Sequence, residues 1–242
     1  MTGLALITGA SSGIGAATAE ALVEAGWRVI ATGRRVDSLA ALRDALGEPL
    51  IPLRLDVADE RSVATLVERL PGDARLIDAL VNNAGHDVGG RMRFDQGTLE
   101  DWGSIIATNL TGLVRVCHAI VPGMVARKRG HVVNIGSVVG RQGYAGGALY
   151  AASKFAVRGF TESLRKDFKG TGVRVSEVAP GLTRTEFAET RWRGDAQRAA
   201  AFYDGAKGAL DARDIARAVA WVLAQPDHVT ISELVLEPSG DP

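Results

Sequence analysis

The sequence predicts an α/β fold in which a doubly wound parallel sheet of seven strands carries helices on both faces. Apolar, β-rich runs alternate with amphipathic, alanine-rich stretches along the chain, which is the order of βαβ units. The runs are apolar at nearly every position, as in strands buried on both faces of a parallel sheet. Apolar residues make up 46% of the 242 residues and no linker or repeat interrupts them, so we expect one domain over residues 1–242.

Seven apolar runs are assigned as strands, and the amphipathic stretches between them as helices. The predicted strands are Leu4–Thr8, Arg28–Thr32, Leu50–Asp56, Ala79–Asn82, His131–Ile135, Val173–Val178 and Ile231–Leu236. The predicted helices are Ile14–Ala25, Val36–Leu46, Glu60–Leu70, Leu99–Arg127, Ala151–Lys169 and Ala212–Ala224. The segment at residues 181–210 is polar and irregular, and such a long segment at the carboxyl end of a sheet predicts a substrate lid.

Composition narrows the classes of function. The chain has 28 basic and 28 acidic side chains, a balance that argues against a nucleic-acid partner. A single cysteine, Cys117, excludes an internal disulfide and a thiolate zinc site, and the four histidines lack metal-ligand spacing. No apolar run approaches the roughly 18 residues of a membrane span, and the chain starts without a targeting pattern. We therefore expect a cytoplasmic protein with no metal and no membrane partner.

A glycine-rich loop, Thr-Gly-Ala-Ser-Ser-Gly-Ile-Gly at residues 8–15, directly follows the first predicted strand. Its glycines allow a sharp turn and a close approach to a pyrophosphate, and the helix that follows points free N–H groups at that anion. A tight strand–helix turn with packing glycines is the alternative. The expected cofactor contacts in this loop are Gly9, Ser11, Ser12, Gly13, Ile14 and Gly15.

The second predicted strand is followed by Gly33, Arg34 and Arg35, where an NAD-binding fold usually carries an acid. A guanidinium pairs with phosphate through two hydrogen bonds and stacks on adenine, so Arg34 predicts a 2′-phosphate site and NADP(H) as cofactor. Whether Arg35 shares that phosphate or faces water stays open. Asp56, after the third strand, is expected to accept a hydrogen bond from the adenine amine, whereas Asp37 is read as an acid at a helix N-terminus.

Four further residues predict an oxidoreductase centre. Tyr150 and Lys154 lie four positions apart and thus on one face of a helix, where an ammonium and an oxidised nicotinamide favour the phenolate. Ser137 follows a predicted strand, at the sheet edge where ligands bind, and can orient a substrate carbonyl. Asn109 is unfavourable inside a helix and predicts a kink or a water-binding role. A surface Tyr/Lys pair is the alternative reading of the first two.

These motifs, together with Asn-Asn-Ala-Gly at residues 82–85 and Pro-Gly-x-x-x-Thr at 180–185, occur in an order that resembles the short-chain dehydrogenase/reductase family over nearly the whole chain. The resemblance implies a Rossmann fold and hydride transfer between nicotinamide C4 and an alcohol or carbonyl carbon. It implies that Tyr150 is the acid/base, that Lys154 modulates its pKa and contacts the nicotinamide ribose, that Ser137 orients the carbonyl, and that Asn109 holds a relay water. The family's members are commonly tetramers or dimers.

The resemblance also extends the cofactor site beyond the glycine-rich loop. The further residues that it places there are Val57, Asn83, Ala84, Gly85, Tyr150, Lys154, Pro180, Gly181, Thr183 and Thr185.

Several segments resemble bacterial NADP-dependent 3-hydroxy acid dehydrogenases of the serine and allo-threonine type, which implies a 3-hydroxy acid or its semialdehyde as substrate. An acidic substrate needs a cation, and Arg141 and either Arg191 or Arg193 in the predicted lid are candidates, with Tyr144 beside them. Each of these arginines taken alone can equally be solvated. A sulfonated aldehyde, a neutral ketone or polyol, and a catalytically silent NADP(H)-binding regulator remain alternatives.

Overall fold

A computed structural model describes residues 3–72, 76–204 and 208–240. The strands are β1 (Leu4–Ile7), β2 (Arg28–Gly33), β3 (Leu50–Arg54), β4 (Ala79–Asn82), β5 (Gly130–Ile135), β6 (Val173–Pro180), β7 (Thr183–Arg184), β8 (Leu210–Asp211) and β9 (Glu233–Leu236). Within the described ranges, seven strands form one parallel sheet in the order β3-β2-β1-β4-β5-β6-β9. The order reverses between β1 and β4, which confirms the predicted doubly wound sheet and places a ligand crevice at that switch point.

The helices agree with the predicted ones except in detail. They are α1 (Gly13–Glu24), α2 (Val36–Leu46), α3 (Glu60–Ala64), α4 (Leu66–Arg69), α5 (Leu99–Ile106), α6 (Leu113–Ala126), α7 (Ala148–Asp167), α8 (Phe187–Arg191), α9 (Ala196–Asp204) and α10 (Ala212–Leu223). The single helix predicted at residues 60–70 is wrong, because Thr65 leaves helical geometry (φ −91°, ψ 3°) and separates α3 from α4.

Alternate residues of the central strands pack on opposite faces of the sheet, as the pleat requires. Leu6 and Val132 face the layer of α6 and α7. Ile7 and Val133 face the layer of α1, α2 and α10. The two apolar layers hold the strands in register, so that the carboxyl ends of β1, β4, β5 and β6 meet along one edge.

The segment predicted as one helix at residues 99–127 is helical throughout, but it is not uniform. Between α5 and α6 the chain forms a π-helix at Ala107–Gly112, and Asn109 lies within it. The irregularity predicted at Asn109 is therefore confirmed. Such widened turns are common at functional sites.

The same helical segment corrects one expectation from the sequence. By length and composition, Leu99–Ala126 qualifies as a membrane span, with a mean hydropathy of 1.4 over an 18-residue window, so the expectation that no segment approaches that limit is wrong. Six of its apolar side chains nevertheless lie in the core against the sheet: Leu113, Val116, Cys117, Ile120, Val121 and Met124 are buried. This segment fits a buried core helix.

The predicted lid at residues 181–210 is more regular than its sequence indicated. It contains β7, α8 and α9, and β7 pairs in parallel with β8, while residues 205–207 lie outside the described residues. A small core of its own holds it together, with Ala188, Ala199 and Tyr203 buried against Trp192 and Phe202. The segment packs over the carboxyl ends of the strands.

Candidate active site

A cavity of about 1390 Å³ opens at the carboxyl ends of the strands and beneath the predicted lid. Typical small-ligand pockets measure roughly 300–1,000 Å³, so this one has room for a dinucleotide and a small substrate. Of the residues predicted to hold the cofactor, all but Gly15 line it.

The glycine-rich loop is built as a phosphate cradle. Gly9 (φ +66°) and Gly13 (φ +54°) adopt left-handed conformations that favour glycine. A Cβ on Gly15 would lie 2.3 Å from the Gly9 carbonyl oxygen, so Gly15 packs behind the loop and does not face the cavity. The Asn83 side chain donates to the carbonyl oxygens of Thr8 (3.0 Å) and Gly9 (3.1 Å), which fixes the loop against the end of β4.

The N-terminus of α1 faces this cradle. Its N-cap residue, Ser12, makes no side-chain capping hydrogen bond. The first N–H groups of the helix therefore stay available for an anion, and the helix dipole favours negative charge there. The loop fits the pyrophosphate of a dinucleotide.

The two arginines after β2 differ in their surroundings. Arg34 is exposed at the cavity and makes no hydrogen bond or ion pair within the described part of the chain. The Arg35 guanidinium contacts the Glu186 carboxylate of the lid segment (2.7 Å) and the Ser11 hydroxyl (3.3 Å). A Cβ on Gly33 would lie 3.2 Å from the Ser11 side chain, so there is little room for the usual acid. Arg34 is thus the cation free to meet a 2′-phosphate.

The predicted adenosine side lies at the ends of β3 and β4. Asp56 lines the cavity, and its Oδ1 accepts a hydrogen bond from the Ala58 N–H at 3.0 Å. The Thr8 hydroxyl accepts from the backbone N–H groups of Asn83 and Ala84, both at 3.0 Å, and so joins the ends of β1 and β4. These bonds hold both sides of the crevice in place.

The predicted catalytic residues come together on the cavity wall, apart from Asn109. Tyr150 and Ser137 both line the cavity and interact closely enough for Ser137 to affect the pKa of Tyr150, and the Lys154 Nζ lies 5.9 Å from the centroid of the Tyr150 ring. Lys154 is nearly fully buried, and its Nζ donates to the Ile135 carbonyl oxygen at 2.9 Å. Three segments of the chain, the end of β5, the loop beyond it and α7, therefore converge on one point.

Asn109 is buried behind this wall. Its side-chain N–H group donates to the His86 carbonyl oxygen (2.9 Å) and the Ser153 hydroxyl (3.1 Å), and its Oδ1 accepts from the His86 N–H (2.9 Å). All three bonds join the π-helix to neighbouring segments. The side chain thus holds the wall in shape, and a relay water at this residue stays a prediction.

Burial sets the protonation states at the centre. It raises the pKa of Tyr150 above its ordinary value, while the nearby Arg191 charge and the hydrogen bond with Ser137 act in the opposite direction. Burial also lowers the pKa of Lys154 to about 8, against the opposing charge of Glu177. Tyr150 is therefore a protonated donor near neutral pH.

The arginines predicted to bind the substrate already have acidic partners. Arg141 lines the cavity, but its guanidinium pairs with Glu233 and with Glu177 (3.7 Å) and donates to the Ser137 carbonyl oxygen (3.0 Å). Arg193 does not line the cavity, and its guanidinium contacts both carboxylate oxygens of Asp101 at 2.7 Å. The structure therefore gives Arg193 no place in the pocket, because it fastens the lid to α5.

Arg191 is the most buried of the three arginines predicted to bind the substrate. It is 4% exposed, and its Nε donates to Asp87 at 2.7 Å. Its guanidinium carbon lies 5.0 Å from the Phe202 ring and 5.9 Å from that of Tyr150, and its Nη2 lies 3.4 Å from the Tyr144 hydroxyl. Arg191 thus joins the lid to the pocket wall, with Tyr144 in the predicted position beside it.

Sequence reasoning missed three residues of this wall. Asp87 and Arg91 lie on the loop that leaves β4, and Phe202 comes from α9. A signal was available for the first two, since charged residues that follow the Asn-Asn-Ala-Gly motif leave the carboxyl end of a strand at the crevice. No such signal marks Phe202, because the sequence around it does not indicate how the lid folds over the cavity.

Comparisons with known proteins agree with this geometry. The model of the short chain dehydrogenase family matches residues 3–196. NADP-dependent 3-hydroxy acid dehydrogenase YdfG of Salmonella typhi is 44% identical over 236 residues, which cover 97% of this chain and 94% of that protein. Serine 3-dehydrogenase of Rhizobium radiobacter is 41% identical over 238 residues, with coverages of 98% and 94%.

A solved structure leads to the same family. The closed form of serine dehydrogenase complexed with NADP+ superposes with a TM-score of 0.93 at 41% identity, over 96% of this chain and 94% of that one. The matched residues 3–196 contain the phosphate cradle and the Ser137–Tyr150–Lys154 centre. This chain belongs to the short chain dehydrogenase family.

Proposed function

We propose that this chain is an NADP(H)-dependent oxidoreductase of small hydroxy acids, with a 3-hydroxy acid or its semialdehyde as substrate. The observation that carries the proposal is one cavity whose wall holds the Ser137–Tyr150–Lys154 centre, the phosphate cradle and Arg34, which has no ion pair among the residues that the structure describes. The relatives named for 3-hydroxy acid and serine dehydrogenation support the substrate class.

Ser137, Tyr150 and Lys154 have separate roles in proton transfer. Bound NADP+ would supply the hydride acceptor for the oxidation of the carbon that bears the hydroxyl group. Ser137, on the same cavity wall as Tyr150, holds the substrate oxygen, and Tyr150 exchanges the proton on that oxygen as acid or base. Lys154, held by the Ile135 carbonyl oxygen, keeps an ammonium beside the phenol, where positive charge favours the phenolate.

The cofactor contacts follow from the walls of the same cavity. The loop from Gly9 to Ile14 would hold the pyrophosphate, Arg34 the 2′-phosphate, and Asp56 the adenine amine. Pro180 and Gly181, at the end of β6, lie where the nicotinamide end would reach. Arg35 is the less available cation, because Glu186 already pairs with it.

The assembly and the compartment are part of the same proposal. Val114 on α6 and Phe155 on α7 are 38% and 45% exposed, and apolar side chains on exposed helix faces favour association between copies. A homotetramer or homodimer that acts in the cytoplasm is consistent with this face and with the balanced charge of the chain.

A substrate panel tests the function. Purified enzyme is assayed by the absorbance of the reduced cofactor with L-serine, 3-hydroxypropionate, isethionate and propan-2-ol, each with NADP+ and with NAD+. We expect the two carboxylic acids to be oxidised with NADP+, and the Tyr150→Phe variant to lose this activity. Oxidation confined to propan-2-ol would reject the acid substrate. A wild-type enzyme that binds NADP+ but oxidises none of these compounds would favour the regulator.

The cofactor arm of the experiment uses Arg34→Asp. Loss of a charged hydrogen-bond donor and gain of a repelling carboxylate should lower kcat/KM for NADP+ about ten- to hundredfold and change that for NAD+ much less. Arg43→Gln, on α2 outside the cavity, is the matched control and should change neither. Equal losses with both cofactors would contradict the assignment of Arg34.

A further inference from the structure

Three arginines reach the part of the cavity around Tyr144 and Tyr150, and they differ in how their charge is compensated. Arg141 pairs with two glutamates, and Arg191 pairs with Asp87. Arg91 also lines this wall, and no ion pair compensates it within the described residues.

The charge balance of the wall is therefore uneven. Asp87 is the acid that interacts with both Arg191 and Arg91, and both charges lower its pKa against the rise that burial causes. One carboxylate thus faces two guanidinium groups. The cluster of Asp87, Arg91 and Arg191 carries one positive charge in excess, on the side of the pocket where Tyr150 lies.

The contacts of Arg91 leave its hydrogen-bond donors free. Its guanidinium carbon lies 5.0 Å from the centroid of Tyr144 and 5.3 Å from that of Phe202, so cation–π contacts with two aromatic rings hold the group in place. Cation–π contacts use no N–H group, so the guanidinium keeps its donors for a carboxylate, which a guanidinium binds through two parallel hydrogen bonds. Arg91 is exposed to the cavity and can use them.

We propose that Arg91 binds the acidic group of the substrate, and that the buried Asp87–Arg191 pair positions the aromatic wall that holds it. This inference rests on the proposed function and names its specificity residue. Arg91 comes from the loop after β4, Tyr144 from the loop after β5, and Phe202 from the lid. The lid therefore helps to position the guanidinium of Arg91, to which the acidic group of the substrate would bind.

A matched pair of substrates tests this assignment: 3-hydroxypropionate and its methyl ester, in which a methyl group replaces the negative charge. With NADP+ at saturation, Arg91→Gln should raise KM for the acid about ten- to hundredfold. It should leave kcat/KM for the ester and KM for NADP+ close to wild type. Arg91→Lys should recover part of the loss for the acid, since an ammonium keeps the charge but not the planar fork.

Arg93→Gln is the control, because Arg93 lies on the same loop, pairs with Asp95 and does not line the cavity. It should leave both substrates unaffected. Equal losses for acid and ester in Arg91→Gln, or an unchanged KM for the acid in an otherwise active enzyme, would overturn the assignment of Arg91 alone. A wild-type enzyme that oxidises the ester but not the acid would overturn the proposed substrate as well.

Discussion

Single side chains set the chemistry of this site through burial and charge. Lys154 shows the cost of this arrangement, because its ammonium lies almost without solvent behind Tyr150 and is held by one backbone carbonyl. Arg191 is equally buried, but a carboxylate compensates its charge. Function therefore retains at Lys154 a charge that folding alone would disfavour.

Replacing Lys154 by methionine should stabilise the fold while it removes activity. Burial lowers the pKa of Lys154 from 10.5 to about 8, so the folded protein at pH 7 carries a penalty on the order of 3 kcal/mol relative to a neutral side chain. Urea unfolding at pH 7 should show Lys154→Met to be more stable than wild type by about 1–3 kcal/mol.

The stability advantage of Lys154→Met over wild type should shrink as the pH rises. Between about pH 8 and pH 10.5 the folded state releases the Lys154 proton before the unfolded state does, so wild-type stability rises with pH and the advantage of the variant shrinks. Lys169→Met, on the exposed surface after α7, should show no such convergence. A stability difference that stays constant across this window would contradict the prediction.

At the scale of elements, the site is made where strands end and helices begin. The carboxyl ends of β1, β2, β4, β5 and β6 each supply a segment of the cavity wall, and hydrogen bonds from the Asn83 side chain hold β4 against the phosphate cradle. The π-helix places Asn109 behind the catalytic wall, where its side chain is hydrogen-bonded to His86 and Ser153. Close packing between elements, more than any single helix or strand, sets the shape of the crevice.

The junction of β1 and α1 should not tolerate an added methyl group at Gly15. In Gly15→Ala the new Cβ would lie 2.3 Å from the Gly9 carbonyl oxygen and 2.5 Å from the Asn83 Nδ2, and both belong to the cradle. We expect a loss of about 1–3 kcal/mol in the free energy of unfolding, together with a raised KM for NADP+. Urea unfolding and steady-state kinetics measure the two effects.

Gly103→Ala is the control for Gly15→Ala, because it adds the same methyl group at a position with open space. A Cβ on Gly103, an exposed position on α5, would meet nothing within 4 Å. Alanine is the better helix former, so this variant should gain about 0.5–1 kcal/mol and keep its KM for NADP+. If Gly15→Ala matched Gly103→Ala in both measurements, the tight packing behind the cradle would be refuted.

At the scale of the whole molecule, the central strands carry both the core and buried polar groups. His131 on β5 is 3% exposed, and its Nε2 lies 2.8 Å from the hydroxyl of Ser176 on β6. Burial, together with the charge of Arg174, lowers the pKa of His131 to about 3. The fold therefore keeps this imidazole neutral, whereas the unfolded chain takes up a proton near pH 6.5.

Stability should consequently fall as the pH drops from 6.5 towards 3. Within this window the unfolded state holds the His131 proton and the folded state does not, which costs about 1.4 kcal/mol per pH unit. His131→Gln should remove that slope, whereas His118→Gln, on the exposed side of α6, should keep it. Urea unfolding at pH 6.5, 5.5 and 4.5 measures the slopes, and equal slopes for the two variants would refute this role of His131.

The fold class, the order of the elements, the phosphate loop and the catalytic motif were determined by the sequence alone. Each depends on a periodicity or spacing within one element, such as the turn of helix between Tyr150 and Lys154, so a local pattern is enough to predict it. The π-helix at Asn109 was foreseen as an irregularity for the same reason.

Only the tertiary structure decided which charges remain free. Arg191 finds its acid 104 positions away at Asp87, and Arg141 finds Glu233 92 positions away. No local pattern encodes partners at that distance, because folding alone brings them together. Once those pairs form, Arg34 and Arg91 are the cavity-lining arginines that keep no ion pair within the described residues, and we propose them as the ligands of the cofactor phosphate and of the substrate acid.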